Sequence, residues 1–124
     1  MCIRDSGYSY TEAAIEVRRC RGPVRFDQVR AYSNVPGACG APPALRARRS
    51  RGVAIMRSEL HGGWSGIDVG CWNATGGHGL LARHSSVSAW RSLFYGGLGA
   101  HGAPPDIPTP GGDGAQLVLS LIHI

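Results

Sequence analysis

The stretch ALRARRSRGVAIMRSEL, Ala44 to Leu60, decides how this chain is expected to fold. Leu45, Arg46 and Ala47 at its start are good helix formers, so the stretch predicts a helix, weakened at Gly52. Arg46, Arg48, Arg49 and Arg51 would then crowd about two helical turns. Clustered guanidiniums contact phosphates well. No aromatic residues interleave them and no known nucleic-acid module accompanies them, so the cluster reads as a solvated helix face, and nucleic acid is not the expected partner.

Upstream, Tyr8 to Val17 fits a strand about as well as a short helix. Gly22-Pro23 makes a turn, and Val24 to Tyr32 alternates apolar and polar residues until the phase slips at Val29. A strand, turn and strand hairpin is the simplest account. Downstream, residues 34–43 and 62–79 are rich in glycine and proline, and Leu80 to Tyr95 suits a strand or a helix. Residues 96–114 form a long Gly/Pro loop, a feature that in compact domains is functional or disordered. No internal repeat stands out.

The composition sets a low ceiling on core formation. Ile, Leu, Val and Phe make up about a fifth of the 124 residues, near the level where disorder becomes a serious reading, while 19 glycines and 8 prolines punctuate the chain. All 13 basic residues are arginine, a pattern that GC-rich codons produce, and the formal charge is +5. No run of apolar residues is long enough for a transmembrane helix.

Both ends look unlike the interior. MCIRDS (Met1 to Ser6) and LSLIHI (Leu119 to Ile124) can be encoded by strings that are reverse complements of one another along most of their length. Those strings resemble the end sequence of a sequencing-library transposase. Residues 1–6 and 119–124 are therefore expected to be adaptor-derived, with 7–118 as the interpretable insert. Setting Cys2 aside leaves Cys20, Cys39 and Cys71, an odd set that predicts neither a disulfide framework nor a zinc site. The compartment is left open.

Three constellations carry chemistry weakly. TGGHGLLA, Thr75 to Ala82, has the glycine crowding of a dinucleotide-binding turn, but VGCWNA ahead of it is a poor strand and the next acid is Asp106. His61, His78, His84 and His101 show no helical ligand spacing. Ser85 or Ser86 beside His84 suggests a nucleophile, yet no third group is there to orient the imidazole.

GGLGAHGAPP, Gly96 to Pro105, is the most specific string. It resembles the loop G-G-x-G-E-x-G-x-P-P near the C-terminus of the molybdenum hydroxylases, the xanthine dehydrogenase and aldehyde oxidoreductase family, most closely the large subunit of isoquinoline 1-oxidoreductase type. Gly96, Gly97, Gly99, Gly102, Pro104 and Pro105 fall in register. AAIEV followed by GPVRFDQV is similar to the family's paired strands, and Val35, Gly37, Pro42, Leu45, Arg46, Ala47 and Gly52 occupy places of its D-x-G-R-x-x-N-P-x-x-V-R-A-Q-x-E-G-G motif. Trp72 to Arg83 and PPDIPTPGGDGA extend the likeness, which runs from Ala13 to Ala115.

The resemblance implies an α+β fold in which this piece belongs to the C-terminal molybdenum-binding domain and is largely disordered alone. It implies an oxidoreductase that hydroxylates an aldehyde or N-heterocycle, with a molybdopterin cofactor, a small-molecule substrate and an iron–sulfur small subunit as partners. Gly96, Gly97 and Gly99 would let the backbone approach the cofactor. Arg48 stands where the family has the Gln that approaches the metal. Ala100 stands where the family has its catalytic Glu, and Val35 and Ala41 replace an Asp and an Asn. Alanine accepts no proton, so the chain is expected to be inactive as written. Each of the replacements at positions 100, 48 and 35 can be a single-base change, which points to an error-laden or decayed copy. Two further readings stand beside this one: translation of GC-rich DNA in a frame with no function, and a small Arg-rich nucleic-acid-binding protein.

Overall fold

The computed structural model describes residues 2–5, 13–33, 41–63, 76–97, 114–118 and 121–123. Among them there is no helix, and the expected α+β architecture is replaced by strands that coil into stacked turns. The first coil runs through β2 (Ile15–Arg18), β3 (Val24–Asp27) and β4 (Arg30–Tyr32). The second repeats it as β5 (Leu45–Arg48), β6 (Val53–Met56) and β7 (Glu59–His61), and the third as β8 (Leu80–Arg83), β9 (Ser86–Trp90) and β10 (Leu93–Tyr95). β11 (Ala115–Val118) and β12 (Leu121–His123) begin a fourth.

Each strand pairs in parallel with its counterpart one coil away. The result is a first sheet of order β1-β2-β5-β8-β11, a second of order β12-β9-β6-β3 and a third of order β10-β7-β4. The exception is β1 (Ile3–Asp5), which lies antiparallel on β2. This is a parallel β-solenoid. Both terminal hexapeptides read as adaptor thus add strands to it, and Cys2 forms a disulfide with Cys20, against the expectation of no disulfide.

The core explains why the helix over 44–60 does not form. Alternate residues point inward and stack in register: Ile15 on Leu45 on Leu80, Val17 on Ala47 on Ala82, Val24 on Val53 on Val87. Phe26–Ile55–Ala89 and Ala31–Leu60–Phe94 complete the set. Large and small residues trade places along the last two columns, so each coil fills a similar volume. A helix would put Leu45, Ala47, Val53 and Ile55 on scattered faces; two short strands bury all four completely. The expectation of disorder fails for the same reason, since these columns give the chain a core of its own.

Two corners recur in every coil and carry the repeat that the sequence hides. The first joins the first sheet to the second at Arg19-Cys20, Arg49-Ser50 and His84-Ser85; the second joins the second sheet to the third at Gln28-Val29, Arg57-Ser58 and Arg91-Ser92. The leading residue is left-handed each time, with φ between 48° and 56°. Its N–H bonds to the next coil, as in Arg19 to the Arg48 carbonyl (2.9 Å) and Arg57 to the Trp90 carbonyl (2.9 Å). In the second and third coils the residue that follows is a serine that turns inward. Ser50 Oγ accepts the Cys20 N–H at 3.1 Å and Ser85 Oγ accepts the Ser50 N–H at 3.2 Å. Ser58 and Ser92 form the same ladder at the second corner. Buried donors left by the bend are thereby satisfied.

These corners correct the expected hairpin. β2 and β3 flank Gly22-Pro23 but belong to different sheets and do not pair, and the phase slip at Val29 marks the second corner.

Candidate functional site: a basic ridge along the first corner

The first corner gathers cations from the first three coils. Arg18, Arg48 and Arg83 end β2, β5 and β8 in direct parallel register, exposed on the outer face of the first sheet. Strand spacing places neighbouring members about 4.8 Å apart along the axis. Beside them run Arg19, Arg49 and His84 at the left-handed apex, and beyond those Arg21 and Arg51, all exposed. Among the described residues, no ion pair or side-chain hydrogen bond engages any of these guanidiniums; the ion pairs present involve Arg25, Arg30 and Arg57. Like charges set directly opposite one another across strands repel.

The arginines at 46, 48, 49 and 51 therefore do not share a helix face. Arg48, Arg49 and Arg51 lie on a ridge that also draws on the coils before and after, whereas Arg46 lies further back on β5, in register with Glu16. Stacking of the coils, invisible in the segment alone, turns three local arginines into a continuous basic surface.

The second corner, unlike the first, carries an acid. Arg57 clamps Asp27 of the preceding coil through Nε–Oδ1 (2.9 Å) and Nη2–Oδ2 (2.6 Å), with Arg25 3.5 Å away. The hydrogen bonds that Arg57 donates to the Asp27 carboxylate hold that carboxyl below its ordinary value and raise the Arg57 pKa. A depressed carboxylate stabilises the fold above its unfolded pKa and loses that contribution as pH falls through the folded value. Asp27→Asn is expected to melt below the parent at neutral pH. The gap should close as pH drops below about 4, a comparison that thermal melts followed by circular dichroism check directly.

On the third sheet, Tyr32, His61 and Tyr95 stack face to face with centroids 4.6 Å apart, and His61 Nε2 lies 2.6 Å from Glu59 Oε1. The rings cover one another's faces, making a cross-strand ladder. His84 is exposed at the ridge apex, His78 precedes β8, and His101 lies outside the described residues. Ser85, one of the two serines weighed as a nucleophile, is instead buried in the corner ladder, and Ser86 opens β9 with its Oγ accepting the Gly52 N–H. Gly77 and Gly79 lead into strand β8, where a dinucleotide-binding turn requires a helix.

Of the residues expected to surround a molybdenum cofactor, three are described: Arg48 stands at the first corner, and Gly96 and Gly97 follow β10. Gly99 and Ala100 lie outside the described residues, as does Val35. Gly97 has a reason of its own: its N–H donates to the Gly77 carbonyl at 2.8 Å, and a Cβ there would overlap the Gly63 carbonyl. Close stacking of coils accounts for that glycine without a cofactor.

No protein-family model, curated protein or solved structure matches the chain. Among the described residues, no helix is long and apolar enough to cross a membrane.

Proposed function

We propose that the chain is a binding module that holds an extended polyanion along its first corner. The observation that carries this reading is the register of Arg18, Arg48 and Arg83, flanked on one side by further exposed arginines, none of which is paired with an acid among the described residues. Stacked like charges oppose folding, and departures of this kind from local consistency concentrate at functional sites. A bound polyanion removes the repulsion and releases its own counterions. Guanidinium suits this role because its planar fork engages phosphate or carboxylate oxygens two at a time.

Fluorescence anisotropy with labelled DNA and labelled polyglutamate tests it. At least one polymer should bind, with affinity falling steeply between about 50 and 200 mM salt. Arg48→Glu, at the centre of the ridge, should weaken binding about tenfold, roughly the loss of one good charged contact. Absence of binding at low salt to either polymer ends the proposal.

A second reading rests on the Gly96–Pro105 string alone: a decayed piece of an oxidoreductase that hydroxylates an aldehyde or N-heterocycle at a molybdenum centre. The parent gene tests it. A frame that runs on into the rest of a molybdenum-binding subunit supports it, and a flanking sequence without that enzyme removes it.

A further inference from the structure

The ridge has cations on both flanks as well as along its crest. Arg18, Arg48 and Arg83 belong to the side of the first sheet, Arg21 and Arg51 to the side of the second, and Arg19, Arg49 and His84 to the apex between them. From Arg18 to Arg21 the chain advances three residues, at most about 10 Å of contour. The major groove of B-form DNA is about 12 Å wide, admits a two-stranded ribbon and is walled by phosphates on both sides. We infer that the polyanion is duplex DNA, gripped through its phosphates with the first-corner ridge seated in the major groove. This rests on the polyanion reading and narrows it.

Two observations separate the duplex from other polyanions. Binders of single strands stack bases on exposed aromatic rings. Among the described residues, the exposed aromatics are Tyr32 and Tyr95 on the third sheet and Trp90 at the second corner, where Arg91 covers its ring at 5.8 Å. None of these three lies on the ridge, so none offers unstacked bases a platform beside the arginines. Duplex RNA presents a deep, narrow major groove that side chains cannot enter, which leaves B-form DNA as the ligand with two phosphate walls at the right separation. Three coils cover about 10 Å of axis, over which the two strands carry about six phosphates, so a slope of log affinity against log salt of about −5 follows.

The experiment titrates the full chain with a random-sequence DNA duplex, its single strand, a duplex RNA and polyglutamate at one low salt concentration. The DNA duplex is expected to bind at least tenfold more tightly than any of the others. Arg18→Gln and Arg51→Gln, one on each flank and both exposed, should each weaken duplex binding severalfold while melting no lower than the parent. Trp90→Ala, at the other corner, should leave it unchanged. Equal binding of single strand, RNA or polyglutamate overturns the duplex inference and leaves the polyanion reading standing. Weakening by Trp90→Ala, or loss confined to one flank variant, overturns the seating of the ridge. If none of the four polymers binds, both readings fall together.

Discussion

Leu45→Ala is expected to lower the unfolding free energy by about 2–5 kcal/mol, the range for truncating a fully buried leucine. Leu45 is completely buried between Ile15 and Leu80, its in-register neighbours in the coils on either side. In a solenoid each coil contacts only the next, so a gap in the central coil weakens both of its interfaces at once. Domains of this size have about 5–15 kcal/mol in hand, and a loss of this order leaves little margin. Arg46→Ala, one residue away and facing outward, should stay within about 0.5 kcal/mol of the parent. Urea denaturation followed by circular dichroism measures both. A helix over 44–60, or a polypeptide translated in the wrong frame, predicts something different: no such contrast between neighbours, and in the second case no cooperative transition at all. Equal effects from the two substitutions would remove the alternating core.

Part of this architecture was legible in the sequence. The alternation of Val24 to Asp27 gave β3, and the phase slip at Val29 located a corner without revealing what kind of corner it was. The segment 44–60 misled because helix propensity is a weak prior and Leu45, Arg46 and Ala47 have it. What overrides it is a set of partners some thirty residues away. The repeat escaped notice because its signal is two residues long. Arg49-Ser50 and His84-Ser85 mark the first corner, Arg57-Ser58 and Arg91-Ser92 the second, while the first coil has Arg19-Cys20 and Gln28-Val29 in those places. The loops between coils differ in length, so no fixed period connects these dipeptides. Their common signature, a polar residue willing to take a left-handed conformation followed by a small inward hydroxyl, could have been sought as a pattern. The ridge was half visible: Arg46 to Arg51 announced a basic cluster, but its continuation through Arg18 and Arg83 exists only once the coils are stacked. The glycine string at 96–105 resembles a cofactor loop, and of its two described residues Gly97 answers to close packing between coils.

The first corner offers a sharper test of this geometry, because substitutions at one position should move stability in opposite directions. Arg49 has φ of 49°, and its N–H donates to the Arg83 carbonyl at 3.0 Å. Proline cannot adopt that angle, since its ring fixes φ near −65°, and it has no N–H to give. Arg49→Pro is therefore expected to cost about 3 kcal/mol or more, enough to open the contact between the second and third coils. Glycine meets no Cβ penalty in the left-handed region, where an ordinary residue loses about 1–2 kcal/mol. Arg49→Gly should keep the N–H bond and raise stability by about 0.5–1 kcal/mol after the extra backbone entropy of glycine is counted. It should at the same time weaken polyanion binding, because the apex guanidinium is gone. Stability and binding then part company at a single residue: the glycine variant unfolds later in urea yet binds DNA less well. A glycine variant that is both less stable and equally good at binding would contradict the left-handed corner and the ridge together. The left-handed backbone recurs at Gln28, Arg57 and Arg91 and belongs to the corner as such. What sets Arg49 apart is a charge with no acid partner among the described residues, kept where glycine would give the fold more, which is the pattern expected when a surface is kept for a ligand.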